Sequence, residues 1–380
     1  MPAVSHVGVV GAGFAGAAAA ILLAEGGVEV DLFDAKPEVS ALGSGITIQG
    51  NACRILDQLG VWEQVQENSY PFDILGLRAP DPEGSVIAVI PDAKMGGEDY
   101  PATIGMYRPD LAAILVERAE KAGVRLHWGA KVDSLRQDET GVDLEWIEGA
   151  TRRTGRFDLV IGADGLHSAV RELIGIDARP QQNGMGIWRA FVPRPEQVTH
   201  TDLVYGGPCY IAGYCPTGPD RMYAYLVEEA QDRTVLSPEE QLATMRTLAA
   251  GYHGPWDEVR ASLGADSRIN YTWFTRHLID GPWNRGRVVV IGDAAHSCPP
   301  TMAQGAAMSL EDAVVLAEIL LASEGLDSSV WAEFQDRRLP RLREVVDASS
   351  QLADWLIAHE RDADVPGLMR RVAMTVSQPA

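Results

Sequence analysis

The sequence predicts an α/β fold in which a nucleotide-binding unit is interleaved with a mixed β-sheet domain and followed by C-terminal helices. Three observations predict it. An apolar run near the N-terminus leads through a glycine-rich turn into an alanine-rich stretch, two later apolar runs end in Asp-Gly or Gly-Asp pairs, and short strand-like runs lie between them. The chain has 380 residues, enough for about two or three domains of ordinary size.

The composition limits the kinds of partner. Apolar residues make up 46% of the chain and charged residues 22%, as in globular proteins. The formal net charge of -21 repels phosphate backbones and anionic lipid, so neither nucleic acid nor a membrane surface is expected as a partner. The four cysteines lack metal or disulfide spacing, so no metal site is expected. No long apolar run or basic leader is evident, which favours a cytoplasmic location.

The first element is a strand–turn–helix unit. A short apolar run feeds directly into Gly11, which permits a tight turn, Gly13, which lets the backbone approach a pyrophosphate, and Gly16, which lets helix and strand pack closely. A second strand over residues 28–33 ends at Asp34, where a carboxylate can bind a ribose hydroxyl pair. The motif indicates a dinucleotide site, and by itself it fits a nicotinamide dehydrogenase as well as a flavoprotein.

Two later segments narrow this choice. One apolar run leads into Asp164-Gly165, and another leads into Gly292-Asp293. Asp293 then lies at the carboxyl end of a strand, where α/β sheets hold their ligands. A helix beginning near Gly305 would present bare backbone amides to an electron-rich ring edge.

At these residues the sequence resembles the single-component FAD-dependent aromatic hydroxylases, the family of p-hydroxybenzoate and salicylate hydroxylases. Its closest likeness is to hydroxylases of aromatic and pyridine carboxylic acids. The resemblance covers roughly residues 5–345 and rests on motifs in family order: the N-terminal glycine motif, Gly43-Ser44-Gly45-Ile46, Arg108 with Leu111 and Leu115, Asp164-Gly165, and Gly292-Asp293.

The resemblance implies a Rossmann-like FAD-binding fold interleaved with a mixed β-sheet substrate domain, with C-terminal helices. The expected domains are a discontinuous FAD-binding domain (1–70, 101–178 and 280–325), a substrate-binding sheet domain (71–100 and 179–279) and a C-terminal helical segment (326–380). In that last segment, arginines from Arg337 to Arg343 are expected either on a solvated helix face or in intramolecular salt bridges.

The resemblance also implies a set of FAD contacts. Asp293 is expected at the ribityl and pyrophosphate groups, Arg108 near the phosphates and Val132 at the adenine. The amides of Gly305 and Ala306 are expected to face the flavin. The full expected set is Gly11, Gly13, Phe14, Ala15, Gly16, Asp34, Ala35, Lys36, Gly45, Ile46, Arg108, Val132, Asp293, Gly305 and Ala306.

The expected substrate site draws on other segments. Arg189, in Trp188-Arg189-Ala190, resembles the arginine of hydroxylases for carboxylic acids, and it is expected either to clamp a carboxylate or to form an ion pair on the sheet surface. Thr47 and Gln49 share one face of an extended chain. The expected catalytic residues are Thr47, Gln49, Tyr214 and Pro300, and the expected substrate contacts are Arg189, Tyr205 and Tyr225.

The activity implied by the resemblance is that of an FAD-dependent monooxygenase. NADH or NADPH would reduce FAD, O2 would form the C4a-hydroperoxyflavin, and a small phenolic or N-heteroaromatic compound, with or without a carboxylate, would be hydroxylated. A homodimer is compatible with it. Decarboxylative or ring-opening oxygenation, a quinone-type hydroxylase and a non-catalytic flavin-binding protein remain alternatives. A flavin halogenase is disfavoured because its Trp-x-Trp-x-Ile-Pro signature is missing.

Overall fold

A computed structural model describes residues 2–39, 44–233 and 235–380. Gly43 of the expected glycine motif lies outside the described residues. The strands are β1 (His6–Val10), β2 (Glu29–Asp34), β3 (Gly45–Gln49), β4 (Ser69–Phe72), β5 (Ile74–Arg78), β6 (Val86–Pro91), β7 (Thr103–Tyr107), β8 (Arg125–Trp128), β9 (Ala130–Gln137), β10 (Val142–Glu148), β11 (Thr151–Phe157), β12 (Leu159–Gly162), β13 (Gln181–Pro193), β14 (Thr201–Tyr205), β15 (Ile211–Pro216), β16 (Arg221–Glu229), β17 (Asn270–Leu278), β18 (Asn284–Arg285), β19 (Val288–Val290) and β20 (His296–Ser297). The helices are α1 (Phe14–Glu25), α2 (Gly50–Gln58), α3 (Trp62–Glu67), α4 (Arg108–Lys121), α5 (Ala169–Leu173), α6 (Pro238–Ala249), α7 (Pro255–Ser262), α8 (Gly305–Ala322), α9 (Ser328–Ile357) and α10 (Val365–Ser377), with short 3₁₀ turns at Ala265–Ser267, Gly292–Ala294 and Pro300–Met302.

A six-stranded sheet in the order β18-β19-β12-β1-β2-β8 forms the nucleotide-binding layer. Its central strands β12, β1 and β2 run parallel, and their apolar residues are buried. The turn after β1 needs its glycines: Gly11 has a φ of +103°, and a Cβ on Gly16 would lie 1.9 Å from the Gly11 carbonyl oxygen. The chain therefore enters α1 in the tight turn that the glycine spacing predicts.

An eight-stranded sheet in the order β20-β17-β13-β16-β15-β14-β5-β6 is interleaved with this layer along the chain. Because side chains alternate along each strand, the sheet has two distinct faces. One face packs Trp188, Tyr214 and their apolar neighbours against Trp256 of α7. The opposite face turns Ile187, Tyr223 and other residues away from that cluster. The predicted interleaved α/β fold is confirmed.

The C-terminal segment is helical, as predicted. The 30 residues of α9 and the 13 of α10 follow α8, and α9 continues through Pro340. The arginines of α9 form intramolecular salt bridges: Arg338 and Arg341 are buried against acids of α8, and Arg337 pairs with Glu318 on the surface. Within the described ranges, no helix combines the length and apolar character needed to cross a bilayer.

His277 joins two neighbouring strands at one edge of the eight-stranded sheet. It lies buried on β17, and its Nδ1 is 2.8 Å from Oγ of Ser297 on β20. Burial lowers the pKa of His277 to about 4, with Arg171 and His296 acting in the same direction. The neutral ring is therefore part of the folded state.

We expect the free energy of unfolding to fall as the pH drops from 6.5 to 4, by about 3 kcal/mol from this group alone, because the unfolded chain binds a proton there that the folded chain does not. Urea unfolding at both pH values, in the wild type and in His277→Gln, measures the effect. The variant should lose less stability over this interval. Equal losses in the two proteins would contradict the assignment.

Candidate functional site

A cavity of about 320 Å³ lies between one face of the eight-stranded sheet, strand β3 and the start of α8. Ten of the residues expected from the sequence line it, although they come from segments far apart in the chain. These are Gly45, Ile46, Thr47, Gln49, Arg189, Tyr205, Tyr225, Pro300, Gly305 and Ala306. The fold thus brings the expected flavin contacts of α8 and the expected substrate contacts of the sheet to one place.

The structure does not bring Tyr214 to this cavity. Tyr214 pairs with Ala224 across strands β15 and β16, so both side chains lie on the sheet face that packs on Trp256. Tyr223 and Tyr225 stand at the alternate positions of β16 and face the cavity. The Tyr214 hydroxyl instead donates a hydrogen bond to the Asp202 carboxylate, which gives it a structural environment.

We expect Tyr214→Phe to keep full activity and to lose about 1–3 kcal/mol of folding free energy, since a buried carboxylate loses one of its donors. Tyr223→Phe is the matched control on the other face of the same sheet. It should change turnover more than stability. Urea unfolding and steady-state kinetics of both variants test this, and a turnover defect in Tyr214→Phe with normal stability would contradict the placement.

Arg189 has no acidic partner among the described residues. Its Nη1 donates to Oγ1 of Thr272 at 2.8 Å, and no described carboxylate forms a salt bridge with it. Loss of hydration lowers the pKa of Arg189, but a guanidinium remains charged at neutral pH. Of the two alternatives that the sequence leaves open, the surface ion pair is not formed, and the guanidinium is available to a ligand in the cavity.

Tyr223 is a cavity residue that the sequence analysis missed. Its hydroxyl lies 2.6 Å from Oγ1 of Thr47, and its ring centroid is 5.5 Å from that of Tyr225. Burial raises the pKa values of Tyr223 and Tyr225, so both phenols keep their protons. The signal that could have found Tyr223 is its spacing of two from Tyr225, which places both on one face of a strand.

The start of α1 faces a second part of the site. A Cβ on Gly13 would meet no atom within 4 Å, so the backbone there is open to a ligand. The Arg108 guanidinium lies close to this helix start, 5.3 Å from the ring centre of Phe14. No described acid pairs with it. Together with the free amides of the helix N-terminus, it provides positive charge for a phosphate.

Asp34 connects the end of β2 to the glycine turn. Its carboxylate accepts hydrogen bonds from the backbone N–H of Ala12 at 2.9 Å and of Lys36 at 2.8 Å. These bonds fix the turn and leave further lone pairs for a ribose hydroxyl. Val132 is buried in β9 opposite Trp146, and its contact with adenine remains a prediction.

Asp293 carries a carboxylate that accepts no hydrogen bond from a described residue. Solvent reaches the side chain, but the surrounding protein removes part of its hydration and so raises its pKa. Asp312 anchors the turn that carries Asp293. Its carboxylate accepts hydrogen bonds from Gly292 N at 2.8 Å and from Arg338 Nε at 2.8 Å. His296 Nε2 lies 2.7 Å from the same carboxylate.

This buried network holds a charged Asp312. Burial alone would raise the pKa of its carboxyl, but the interactions with the nearby His296 and Arg338 outweigh that effect and lower it. The side chains of Arg338 and Asp312 are both fully inaccessible to solvent. Sequence spacing gave no sign of this contact, because Arg338 lies two helices away from the Gly292 turn.

The N-terminus of α8 lacks a side-chain cap. Gln304, which precedes it, bonds instead to the side chains of Gln49 and Asn51. The amides of Gly305 and Ala306 at the cavity wall are therefore left for a ligand, and the helix dipole adds partial positive charge there.

Apolar residues close the rest of the cavity. Phe274 of β17, Leu352 and Leu356 of α9, and Met369 of α10 all line it. The C-terminal helices thus form one apolar wall of the cavity. These helices were expected from the sequence, but their position at the site was not.

Comparison with known proteins gives consistent results. A protein-family model described as FAD binding domain matches residues 4–349. The 6-hydroxynicotinate 3-monooxygenase of Pseudomonas fluorescens is 31% identical over 331 residues, which cover 83% of this chain and 82% of that protein.

Two solved structures have the same fold. HpxO of Klebsiella pneumoniae, complexed with FAD and uric acid, is 21% identical with a TM-score of 0.84, and the match covers 98% of this chain and 97% of that one. The tetrameric form of 2-methyl-3-hydroxypyridine-5-carboxylic acid oxygenase is 25% identical with a TM-score of 0.79, covering 97% and 95% of the two chains.

Proposed function

The chain belongs to the FAD binding domain family, and from that membership we propose that it is an FAD-dependent monooxygenase that hydroxylates a small phenolic or N-heteroaromatic carboxylic acid. NADH or NADPH and O2 would be its co-substrates. The observation that carries the proposal is one cavity lined by the Arg189 guanidinium, which has no acidic partner in the described ranges, by two tyrosines and by the uncapped N-terminus of α8.

The residues present fit FAD. The open backbone at Gly13, the unpaired Arg108 and the ribose-binding geometry of Asp34 suit the adenosine and pyrophosphate groups. Asp293 suits a hydroxyl of the ribityl chain. When bound, FAD would supply the redox chemistry, accepting a hydride from the nicotinamide and transferring one oxygen atom of O2 to the substrate.

The protein's contribution at the edge of the flavin ring is electrostatic. The amides of Gly305 and Ala306 would hold the flavin and stabilise negative charge on it, and the α8 dipole would add to this effect. The apolar wall from α9 and α10 would reduce the access of water to a bound cofactor and would strengthen these interactions.

The substrate is held at its two ends. The Arg189 fork binds a carboxylate through two parallel hydrogen bonds. The Tyr223 hydroxyl accepts a hydrogen bond from a ring hydroxyl, and its 2.6 Å contact with Oγ1 of Thr47 fixes the direction of that bond. Polarisation of the ring hydroxyl in this way raises the electron density at the ortho and para carbons, where oxygen is inserted.

A substrate screen tests the proposal. Phenolic and hydroxypyridine carboxylic acids are added to FAD-loaded protein, and NAD(P)H oxidation is followed by absorbance. The masses of the products are then measured by mass spectrometry. We expect at least one such acid to stimulate oxidation and to give a product that has gained one oxygen atom. If FAD is bound and reducible but no compound yields an oxygenated product, the proposal fails and a non-catalytic flavin protein is favoured.

The product mass also separates the remaining alternatives. Simple hydroxylation adds one oxygen, decarboxylative hydroxylation adds one oxygen and removes CO2, and ring opening adds oxygen without restoring aromatic absorbance. We also propose that the protein is located in the cytoplasm and forms a homodimer. The tetrameric form of a similar protein supports self-association in general.

A further inference from the structure

A buried pair of side-chain amides joins two elements that line the cavity, β3 and the start of α8. Asn51 lies in the first turn of α2, directly after β3, and Gln304 directly precedes α8. Nδ2 of Asn51 donates a hydrogen bond to Oε1 of Gln304 at 2.9 Å, and Nε2 of Gln304 donates to Oε1 of Gln49. The exposed fraction is 0% for Asn51 and 1% for Gln304, so solvent does not compete for these bonds.

The turn that leads into α8 has an unfavourable backbone conformation at Ala303. Its φ of +53° lies in the left-handed region, which residues with a Cβ rarely adopt. No side chain caps the helix that follows. The hydrogen bonds of Gln304 therefore hold this turn in place against β3 and α2.

The segment that carries Asn51 is itself tightly packed. A Cβ on Gly50 would lie 2.7 Å from the backbone nitrogen of Gly96, and a Cβ on Gly96 would lie 2.2 Å from the carbonyl oxygen of Gly50. Strand β3 pairs along its length with β7. Asn51 therefore gives Gln304 a rigid partner, and the start of α8 takes its position from β3.

We propose that Asn51 is a positioning residue for FAD, acting through Gln304 on the backbone amides at the start of α8. The amides of Gly305 and Ala306 stabilise negative charge, and reduced FAD carries more negative charge than oxidised FAD. Amides held in one place therefore favour the reduced state, whereas a mobile helix start stabilises that charge less well. This inference rests on the FAD contact of α8 proposed above, and it does not depend on the identity of the substrate.

A purely structural role for the pair makes a different prediction. Loss of a buried hydrogen bond lowers the free energy of unfolding wherever in the protein the bond lies. A change in the reduction potential of bound FAD requires, in addition, that the charge stabilisation beside the flavin changes. The potential therefore distinguishes a positioning role from a structural one.

The midpoint potential of bound FAD, measured by equilibration with a reference dye, tests the proposal in Asn51→Leu and Gln304→Met. We expect the ratio of reduced to oxidised FAD at a fixed potential to fall about tenfold in each variant, which is about 30 mV for a two-electron couple. The Kd for FAD should rise about tenfold. Because the two residues act as one unit, the double variant should shift the potential no further than either single variant.

Two further variants keep the test decisive. Asn51→Ser removes the same donor with a smaller polar side chain, so it should shift the potential in the same direction if Asn51→Leu fails to fold. Tyr252→Phe is the control, because the Tyr252 hydroxyl is buried on the far side of the eight-stranded sheet, where it bonds to Cys209 N and Gly206 O, each at 2.9 Å. It should lose stability and keep the wild-type potential and FAD affinity.

Two results would overturn the proposal. One is a wild-type potential in the folded Asn51 and Gln304 variants, and the other is an equal shift in Tyr252→Phe. A wild-type protein that binds no FAD would contradict the proposed function, and this inference with it. A substrate screen without oxygenated product would contradict the proposed function alone, since the potential is measured without substrate.

Discussion

Replacing Arg189 by methionine is expected to raise KM for carboxylate substrates about 30- to 1000-fold, because truncating one partner of a buried, hydrogen-bonded charge pair costs about 2–4 kcal/mol. The guanidinium has no described acid to pair with in the free protein, so its loss leaves no unpaired protein charge behind. Stability should therefore change little. Steady-state kinetics with a carboxylate substrate and its neutral amide measure the effect.

The neutral analogue and a second variant make this test specific. With the amide, KM should be nearly the same in wild type and Arg189→Met, since no charge pair is lost. Arg189→Lys keeps the charge but loses the planar fork, and its KM should fall between the two. An unchanged KM for the carboxylate in Arg189→Met would remove the proposed role.

Replacing Arg338 by methionine is expected to cost about 3–5 kcal/mol of folding free energy, because it leaves Asp312 buried without its guanidinium partner, whereas Glu311 keeps Arg341. It should also weaken FAD binding, since Asp312 holds the turn that carries Asp293. Urea unfolding and titration of apoprotein with FAD, followed by flavin fluorescence, report the two effects separately.

Neighbouring Arg337 offers a matched control. It pairs with Glu318 on the surface, so Arg337→Met should change stability by about 0.5 kcal/mol or less and leave FAD affinity intact. Arg338→Lys keeps a buried charge and should retain more FAD affinity than Arg338→Met if the fold survives. Normal FAD affinity in Arg338→Met, despite lowered stability, would show that the network serves the fold alone.

The nucleotide-binding turn could be predicted from the sequence because its determinants are local. Gly11, Gly13 and Gly16 specify one backbone path, and Asp34 lies at a fixed distance from them along the chain. The Gly292-Asp293 segment was recognisable for the same reason. Strands around this unit bury both faces, so their continuous apolar runs were also evident.

The two faces of the substrate sheet could not be assigned with the same accuracy. Tyr214 and Tyr225 look equivalent in the sequence, yet the strand register places Tyr225 opposite Gly213 and turns Tyr214 to the far face. A shift of one residue in pairing reverses every side chain, and the register depends on long-range contacts. For the same reason Tyr223 was missed although it lies beside Tyr225.

Contacts between distant segments of the chain could not be predicted from the sequence. Asp312 and Arg338 meet through the packing of α8 on α9, and Met369 reaches the cavity only because α10 folds back over it. The position of β6 at the edge of its sheet likewise follows from the strand order, which local patterns do not contain.

The central claim is that the cavity supports oxygen insertion into a ring by an FAD-bound enzyme. Turnover of a substrate identified in the screen under isotopically labelled dioxygen tests it most directly, with NAD(P)H consumption measured in parallel. The account predicts one labelled oxygen atom in the product for each NAD(P)H consumed. A product whose new oxygen is unlabelled, or NAD(P)H consumption that yields only hydrogen peroxide with every aromatic acid, would contradict it.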